Sequence, residues 1–451
     1  MLRSLYISLV YGVFLCGGFI APFTFGLGYI WVDTFTPQNV AYSIVSEIPV
    51  SEIMAIAAIL AYLLLDRKRP PGLNLITILV ATMAAWVTFT TFNDPVVPVF
   101  ALGKWDWAIK TIIFSAFMPA MFRSRVQIEA FLQIYIFSLA GQFLPFAGKT
   151  ILTGGAYGQS FGLVAGNAGL AEGSTLATVC LMVIPMIYHL ARYSIILPRW
   201  RVMKLIYAGL ALACMIACIG TFERTALVGV VVLAVGFWMR SKRRLLYALM
   251  AAGAIFAASG YVATSKNDWV DRMKTIATYS KDNSAYTRIL VWEWTLDFVR
   301  THPLGGGFNA YMINEIKLPA DKEHPEGYTD KARAFHSIYF EVLGEHGWVG
   351  LGIFLSLFAT SFLTLRNAAL KARKMPGMEW CHDLARNLQI SLIVPMVCGA
   401  FIGIAFQAEI YYMFALAVMM RHQVRSAERL QRAAAPPAVF DHALGTRVAL
   451  T

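Results

Sequence analysis

Charge is scarce in this chain. Only 14% of its 451 residues are Asp, Glu, Lys or Arg, against about a quarter in soluble proteins of this size. That scarcity, with 58% of the residues hydrophobic, excludes an ordinary soluble globule. Alternation is missing as well. Apolar runs of roughly 17 to 25 residues are continuous, which excludes a β-barrel and suits helices crossing a hydrocarbon core of about 30 Å. Cysteine is sparse and badly placed for bridging. Cys16, Cys180, Cys214, Cys218 and Cys398 lie in apolar runs and Cys381 in a Lys/Arg-rich loop, so no disulfide framework is implied. Cys381-His382 lacks the partners of a zinc site, and Cys214 and Cys218, four apart, read as small packing residues.

What is present is a series of spans. Apolar segments fall at about 5–30, 45–65, 73–92, 107–122, 126–147, 173–191, 202–221, 225–239, 245–263, 346–365, 387–405 and 408–420. The first is too long for a cleaved signal and reads as a retained helix. The expected fold is an all-α polytopic membrane protein of about twelve transmembrane helices, with one large helical loop between spans nine and ten. The parts are spans one to nine over 1–263, the polar loop over 264–345, spans ten to twelve over 346–421, and a basic, then Ala/Pro-rich, tail over 422–451 that reads as a frayed end.

The net charge of +12 does not point to nucleic acid, because of where it sits. With the N-terminus inside, the interior loops and tail hold 24 of the 38 Lys and Arg, whereas the short exterior loops hold only Lys104, Lys110, Lys149 and Arg224. The positive-inside rule then puts both termini in the cytoplasm and the 264–345 loop outside, in the periplasm of a Gram-negative cell. A loop of about 80 residues in an otherwise apolar chain is where chemistry is expected. In the exterior segment before span six, Gly154, Gly158, Gly162 and Gly166 recur every fourth residue. They make either a smooth helix face or a flexible loop.

Three residues stand out. Arg224 lies in Thr221-Phe222-Glu223-Arg224-Thr225, and the rise from it to Arg240 is roughly 24 Å at 1.5 Å per residue. That is less than the hydrocarbon thickness, so Arg224 is expected near the outer headgroups. It is either a snorkelling side chain or an anion ligand at the depth of a lipid phosphate. Arg288 follows the candidate N-cap Ser284, at the head of a helix whose Ile289, Trp292, Leu296 and Val299 recur at helical spacing. It is either a solvated arginine or an anion ligand beside free N–H groups. His336 opens Phe335-His336-Ser337-Ile338-Tyr339-Phe340-Glu341. A histidine on an apolar face is commonly structural, yet an imidazole with pKa near 6.5 is also the usual acceptor of a hydroxyl proton at neutral pH.

Other patterns are set aside. Gly305-Gly306-Gly307 follows no strand and reads as a sharp turn, not a cofactor loop. His324 stands among charges, and Glu315, Asp321, Glu323 and Glu326 read as solvated, so no metal site is expected. A transporter would place ionisable groups at midplane and repeat its halves; here Glu52, Glu129, Glu223 and Glu409 fall near span ends and no repeat is evident.

The order of these features is familiar. An Arg in a short link after a central span, an Arg heading an exterior helix that leads to Pro303-Leu304-Gly305-Gly306-Gly307, then His336-Ser337-x-Tyr339 before Gly347-Trp348-Val349-Gly350, resembles the O-antigen ligase, O-antigen polymerase and protein O-oligosaccharyltransferase superfamily. Residues 268–311 are most similar to its branch of probable O-glycosylation ligases. The specific motifs span only about 221–225 and 284–350. The resemblance implies a GT-C-like glycosyltransferase of the bacterial inner membrane with its active site facing the periplasm. It would move a glycan from undecaprenyl pyrophosphate to an acceptor such as lipid A-core, with inversion and without metal or other cofactor. Repeat-unit polymerase and protein O-oligosaccharyltransferase are alternatives on the same donor. Carried over by position, Arg224 and Arg288 bind the pyrophosphate, and His336 is the base or acceptor-positioning residue. One departure concerns Asn167, which is followed by Ala168 where the family often has Asn-Pro; it receives no role.

Overall fold

The computed structural model describes residues 2–39, 48–66, 71–153, 170, 172–240, 283–318, 326–434, 439–441 and 446–448. The helices are α1 (Leu2–Ile20), α2 (Phe23–Phe35), α3 (Val50–Leu64), α4 (Leu75–Phe92), α5 (Pro98–Met121), α6 (Arg125–Thr153), α7 (Gly173–Tyr193), α8 (Arg201–Gly220), α9 (Arg224–Arg240), α10 (Asn283–Thr301), α11 (Ile338–Ala372), α12 (Glu379–Cys398) and α13 (Ala408–Ala434). Among the described residues, α1, α4, α6, α7, α8, α11 and α12 are long and apolar enough to cross a membrane. The chain is thus an all-α polytopic membrane protein. The glycine stretch Gly154–Gly166, the span expected at 245–263 and the charged run around His324 lie outside the described residues.

The single first helix expected over 5–30 is two. Pro22 separates α1 from α2, because proline has no N–H to continue the ladder and its ring clashes with the preceding turn. The two helices fold back antiparallel, Tyr11 and Phe14 meeting Trp31 at 5.4 and 5.7 Å between rings and Phe19 meeting Phe25 at 5.6 Å. Gly28 has Phe14 where a Cβ would stand. Farther along α2, the half-buried Asp33 accepts a hydrogen bond from the Tyr412 hydroxyl of α13, the kind of partner a carboxyl within a membrane bundle needs.

The core is mostly one apolar cluster among the bundle helices, and a second, smaller one lies under the polar loop. The loop is not purely helical, as had been expected. Glu315–Leu318 (β1) pairs antiparallel with Tyr328–Lys331 (β2), and period-two alternation sends Ile316 and Leu318 inward. They meet α10 through Val291, Phe298 and Val299. The buried stripe of α10 is therefore Val291, Thr295, Phe298 and Val299. Leu296, expected to be inward, is exposed. Trp292 stacks flat on Phe340 at 4.9 Å and donates to the Phe335 carbonyl at 2.9 Å, which fastens α10 to the start of α11.

Cys381 is not in a loop. It is buried in α12, because α11 and α12 run far into the expected interior loop and leave only 373–378 between them. The described tail ends in a short antiparallel pair, Val439–Asp441 (β3) with Thr446–Val448 (β4).

Candidate functional site

α11 is two helices in one. At Gly347 the backbone turns to φ 66°, ψ −167°, a region open essentially to glycine alone. A break leaves carbonyls without helical partners, and these must be satisfied when buried. The Pro303–Gly307 run does this. Gly306 N donates to the Gly344 carbonyl at 3.0 Å and Gly307 N to the Glu345 carbonyl at 2.9 Å. The His346 carbonyl accepts from Trp86 Nε1 at 2.9 Å. A Cβ on Gly305 would lie 2.4 Å from the Glu345 oxygen, and one on Gly347 2.1 Å from the Pro303 oxygen. The glycines of both motifs therefore serve one backbone-to-backbone junction.

That junction aims the first half of α11 into a cavity of about 280 Å³ lined by His336, Glu341, Glu345, Lys104, Glu172, Tyr311 and Gln407, among others. Glu341 and Glu345, one helical turn apart, share a face. Between them sits the Lys104 ammonium from α5, 2.7 Å from Glu341 Oε1 and 2.8 Å from Glu345 Oε1. Phe308 and Phe406 present their rings to the same ammonium, each 5.5 Å away. The backbone N–H of Asn309 donates to Glu345 Oε1 at 2.8 Å, and that of Ala405 to Glu341 Oε2 at 2.9 Å. One ammonium faces two carboxylates, so the wall of the cavity is rich in fixed hydrogen-bond acceptors. This group was missed in the sequence. Glu341 and Glu345 at i,i+4 was the available signal, but Lys104 is more than 230 positions away.

His336 lies in the turn just ahead of α11, with φ at +47°, an uncommon conformation for a residue with a Cβ. Burial lowers its pKa below the ordinary 6.5, and the Arg288 and Arg333 charges lower it further, against a smaller pull from Glu341. The imidazole is thus neutral at neutral pH.

Arg288 is half-buried in the second turn of α10, which begins at Asn283, one residue ahead of the expected cap. Its Nε is buried without a hydrogen-bond partner. It is not among the residues lining the cavity, yet its charge acts on two that are, His336 and Glu172. Glu172, which precedes α7, is raised by burial and by nearby Glu223, while Thr175 and Arg288 oppose the shift. Glu223 is the neighbour of Arg224, so the 221–225 link lies at the Glu172 side. Arg224 itself opens α9, half-buried, and does not line the cavity.

His346, close in sequence, has a different place. It is fully buried, with Nδ1 2.7 Å from Thr90 Oγ1 and its ring edge-on to Phe308 and Phe406. It locks the kink and does not line the cavity. Among the described residues no three His, Cys, Asp or Glu side chains converge as a metal site needs.

Two family models match the chain. Residues 208–355 match the one described as O-antigen ligase, and residues 2–195 match a family of unknown function. No curated protein matches the chain.

Proposed function

From the match of residues 208–355 to the O-antigen ligase family model, we propose that the chain transfers a glycan from undecaprenyl pyrophosphate to a hydroxyl acceptor at the periplasmic face of the inner membrane. The observation that carries this reading is the neutral His336, lining a cavity walled by acceptors and under the charge of Arg288.

The chemistry balances with these groups. The acceptor oxygen attacks the anomeric carbon, and the bond from that carbon to the pyrophosphate oxygen breaks. The electron pair leaves with the pyrophosphate, and the hydroxyl proton passes to a ring nitrogen of His336. A single displacement inverts the anomeric centre. Pyrophosphate leaves readily once its growing charge is held, so Arg288, with Arg224 at the neighbouring link, supplies what a strong general acid otherwise would. Glu341 and Glu345, fixed by Lys104 and two backbone N–H groups, accept hydrogen bonds from sugar hydroxyls and orient them. No step is routed through a metal.

Ligation of finished polymer to lipid A-core is the first reading; polymerisation of repeat units and transfer to protein use the same donor and site. The test is transfer from a purified lipid-linked donor. His336→Ala should lose at least 100-fold in rate, the usual scale for a positioned base, with unchanged thermal unfolding. Transfer near the wild-type rate overturns the base. The surface glycans of a deletion strain separate the acceptors: unligated lipid-linked polymer marks a ligase, single repeats a polymerase.

A further inference from the structure

The larger cavity lies at the other end of α7. Glu172 borders the His336 cavity, whereas Ile184 to Tyr193 line the second one. The rise from Glu172 to Arg192 is roughly 30 Å at 1.5 Å per residue, so the two open near opposite bilayer surfaces. The second encloses about 1090 Å³. α8 and α9 both pack on α7 but scarcely on each other, and the wedge between them, bordered by α12, forms the cavity. Deep in the wedge the walls are apolar, with Ile184, Ala208, Ala211 and Val235. At its mouth stand Arg192, Lys204, Arg240, Arg373 and Arg386 against only Asp383 and Glu379.

The acidic partner is already satisfied. Asp383 Oδ1 accepts from Arg192 Nη1 at 3.0 Å and lies 3.5 Å from Arg240 Nη2. Its Oδ2 accepts from Asn387 Nδ2 and meets His189 Nδ1, each at 2.9 Å. Arg240 Nη1 donates to Asn387 Oδ1 at 2.6 Å, and the Arg192 guanidinium lies 5.3 Å from the Tyr188 and Tyr193 rings. These contacts orient two guanidinium groups at the mouth. The side chains of Lys204, Arg373 and Arg386 have no hydrogen-bond or ion-pair partner among the described residues.

We propose that this cavity is a binding site for an anionic phospholipid of the inner leaflet, with the headgroup phosphate among Arg192, Arg240 and Arg386 and the acyl chains in the α8–α9 wedge. Surplus cations at a helix-bundle mouth attract phosphate, and charges there favour the leaflet that carries anionic lipid. A small phosphate would satisfy the cations alone and leave the apolar wedge unfilled. An amphiphile satisfies both. The surrounding loops are Lys/Arg-rich, which puts this end in the cytoplasm. The proposal is independent of the reaction assigned to the His336 cavity.

The test is native mass spectrometry of the purified full-length chain with added phosphatidylglycerol, phosphatidylcholine or inorganic phosphate. Phosphatidylglycerol should be retained at least tenfold over phosphatidylcholine. Arg373→Gln with Arg386→Gln should reduce that preference about tenfold, while Arg429→Gln with Arg432→Gln, on the exposed end of α13, should leave it intact. Lys204→Gln, exposed on α8, gives an independent second variant, expected to weaken retention severalfold. Equal retention of the two lipids overturns the site, as does equal loss in the α13 control. Displacement of the lipid by millimolar phosphate would show that the cations serve a free anion instead.

Discussion

His336 is held between opposing influences, and its titration should report them. Burial and the charges of Arg288 and Arg333 lower its pKa. A base must be deprotonated to act, so the acid limb of the pH–rate profile should fall at a pH below 6.5, and activity should persist into mildly acid solution. Replacing Arg288 by Met removes a cation that disfavours a second one nearby, so the limb should move up towards 6.5. A wild-type limb at or above 6.5, unmoved by Arg288→Met, would separate His336 from the reaction. Lys104 makes a different prediction. Its removal leaves Glu341 and Glu345 side by side with no counter-charge, at side-chain exposures of 9% and 0%. Breaking a buried pair in this way costs about 3–5 kcal/mol. Lys104→Met should therefore unfold at clearly lower temperature, and Glu345→Gln in the same chain should recover part of the loss. Equal midpoints for wild type and Lys104→Met would mean that water already screens the group.

At the scale of elements, the break in α11 is what turns a transmembrane helix into a site. Without it, Glu341 and Glu345 would continue the axis of the membrane span, away from the cavity. Gly347→Ala places a Cβ against the Pro303 carbonyl in a backbone region that other residues enter only with strain of about 1–3 kcal/mol. The overlap adds to that strain. Gly347→Ala should lower the midpoint of thermal unfolding and reduce transfer, whereas Gly352→Ala, farther along the same helix with open space where its Cβ would stand, should do neither. Matching behaviour in the two variants would show that the kink yields without consequence. The Pro303–Gly307 run belongs to the same unit: two of its N–H groups cap one half of α11, and so its glycines follow from packing and not from ligand contact.

Across the whole molecule, the α1–α2 hairpin bears on the cytoplasmic placement expected for the N-terminus. α2 meets Phe122 through Gly26 at one end, and Phe35 at the other accepts from Gln142 Nε2 at 3.0 Å. It therefore runs alongside α6 from the Arg123 end upward, and α1 runs back down from the opposite surface. If α1 spans the bilayer, its N-terminal end shares a side with the His336 cavity, and the basic end of α13 lies on the other. A periplasm-active reporter fused ahead of Arg3 should be active, and the same reporter after Arg432 silent. Activity at both positions, or at neither, would show that α1 and α2 do not cross as a pair.

The sequence by itself determined the membrane class and the helical architecture and carried a resemblance to the O-antigen ligase superfamily, because continuous apolar runs and the order of short motifs are local properties. It also singled out Arg288 and His336, because a cation near a helix start and a histidine beside an apolar run are patterns visible within a few residues of chain. It could not determine that Lys104 stands between Glu341 and Glu345, or that Glu172 faces the same cavity, since those contacts join α5 and α7 to α11 across hundreds of residues. Nor did hydropathy separate α1 from α2, because apolar residues continue through Pro22 and only packing against Trp31 and Phe25 shows the reversal. The glycine run after α10 was legible as a turn, but its purpose was not. Hydrogen bonds from Gly306 and Gly307 to carbonyls some 38 positions on exist only once tertiary packing has brought the two backbones together, and that packing decided where the chemistry could stand.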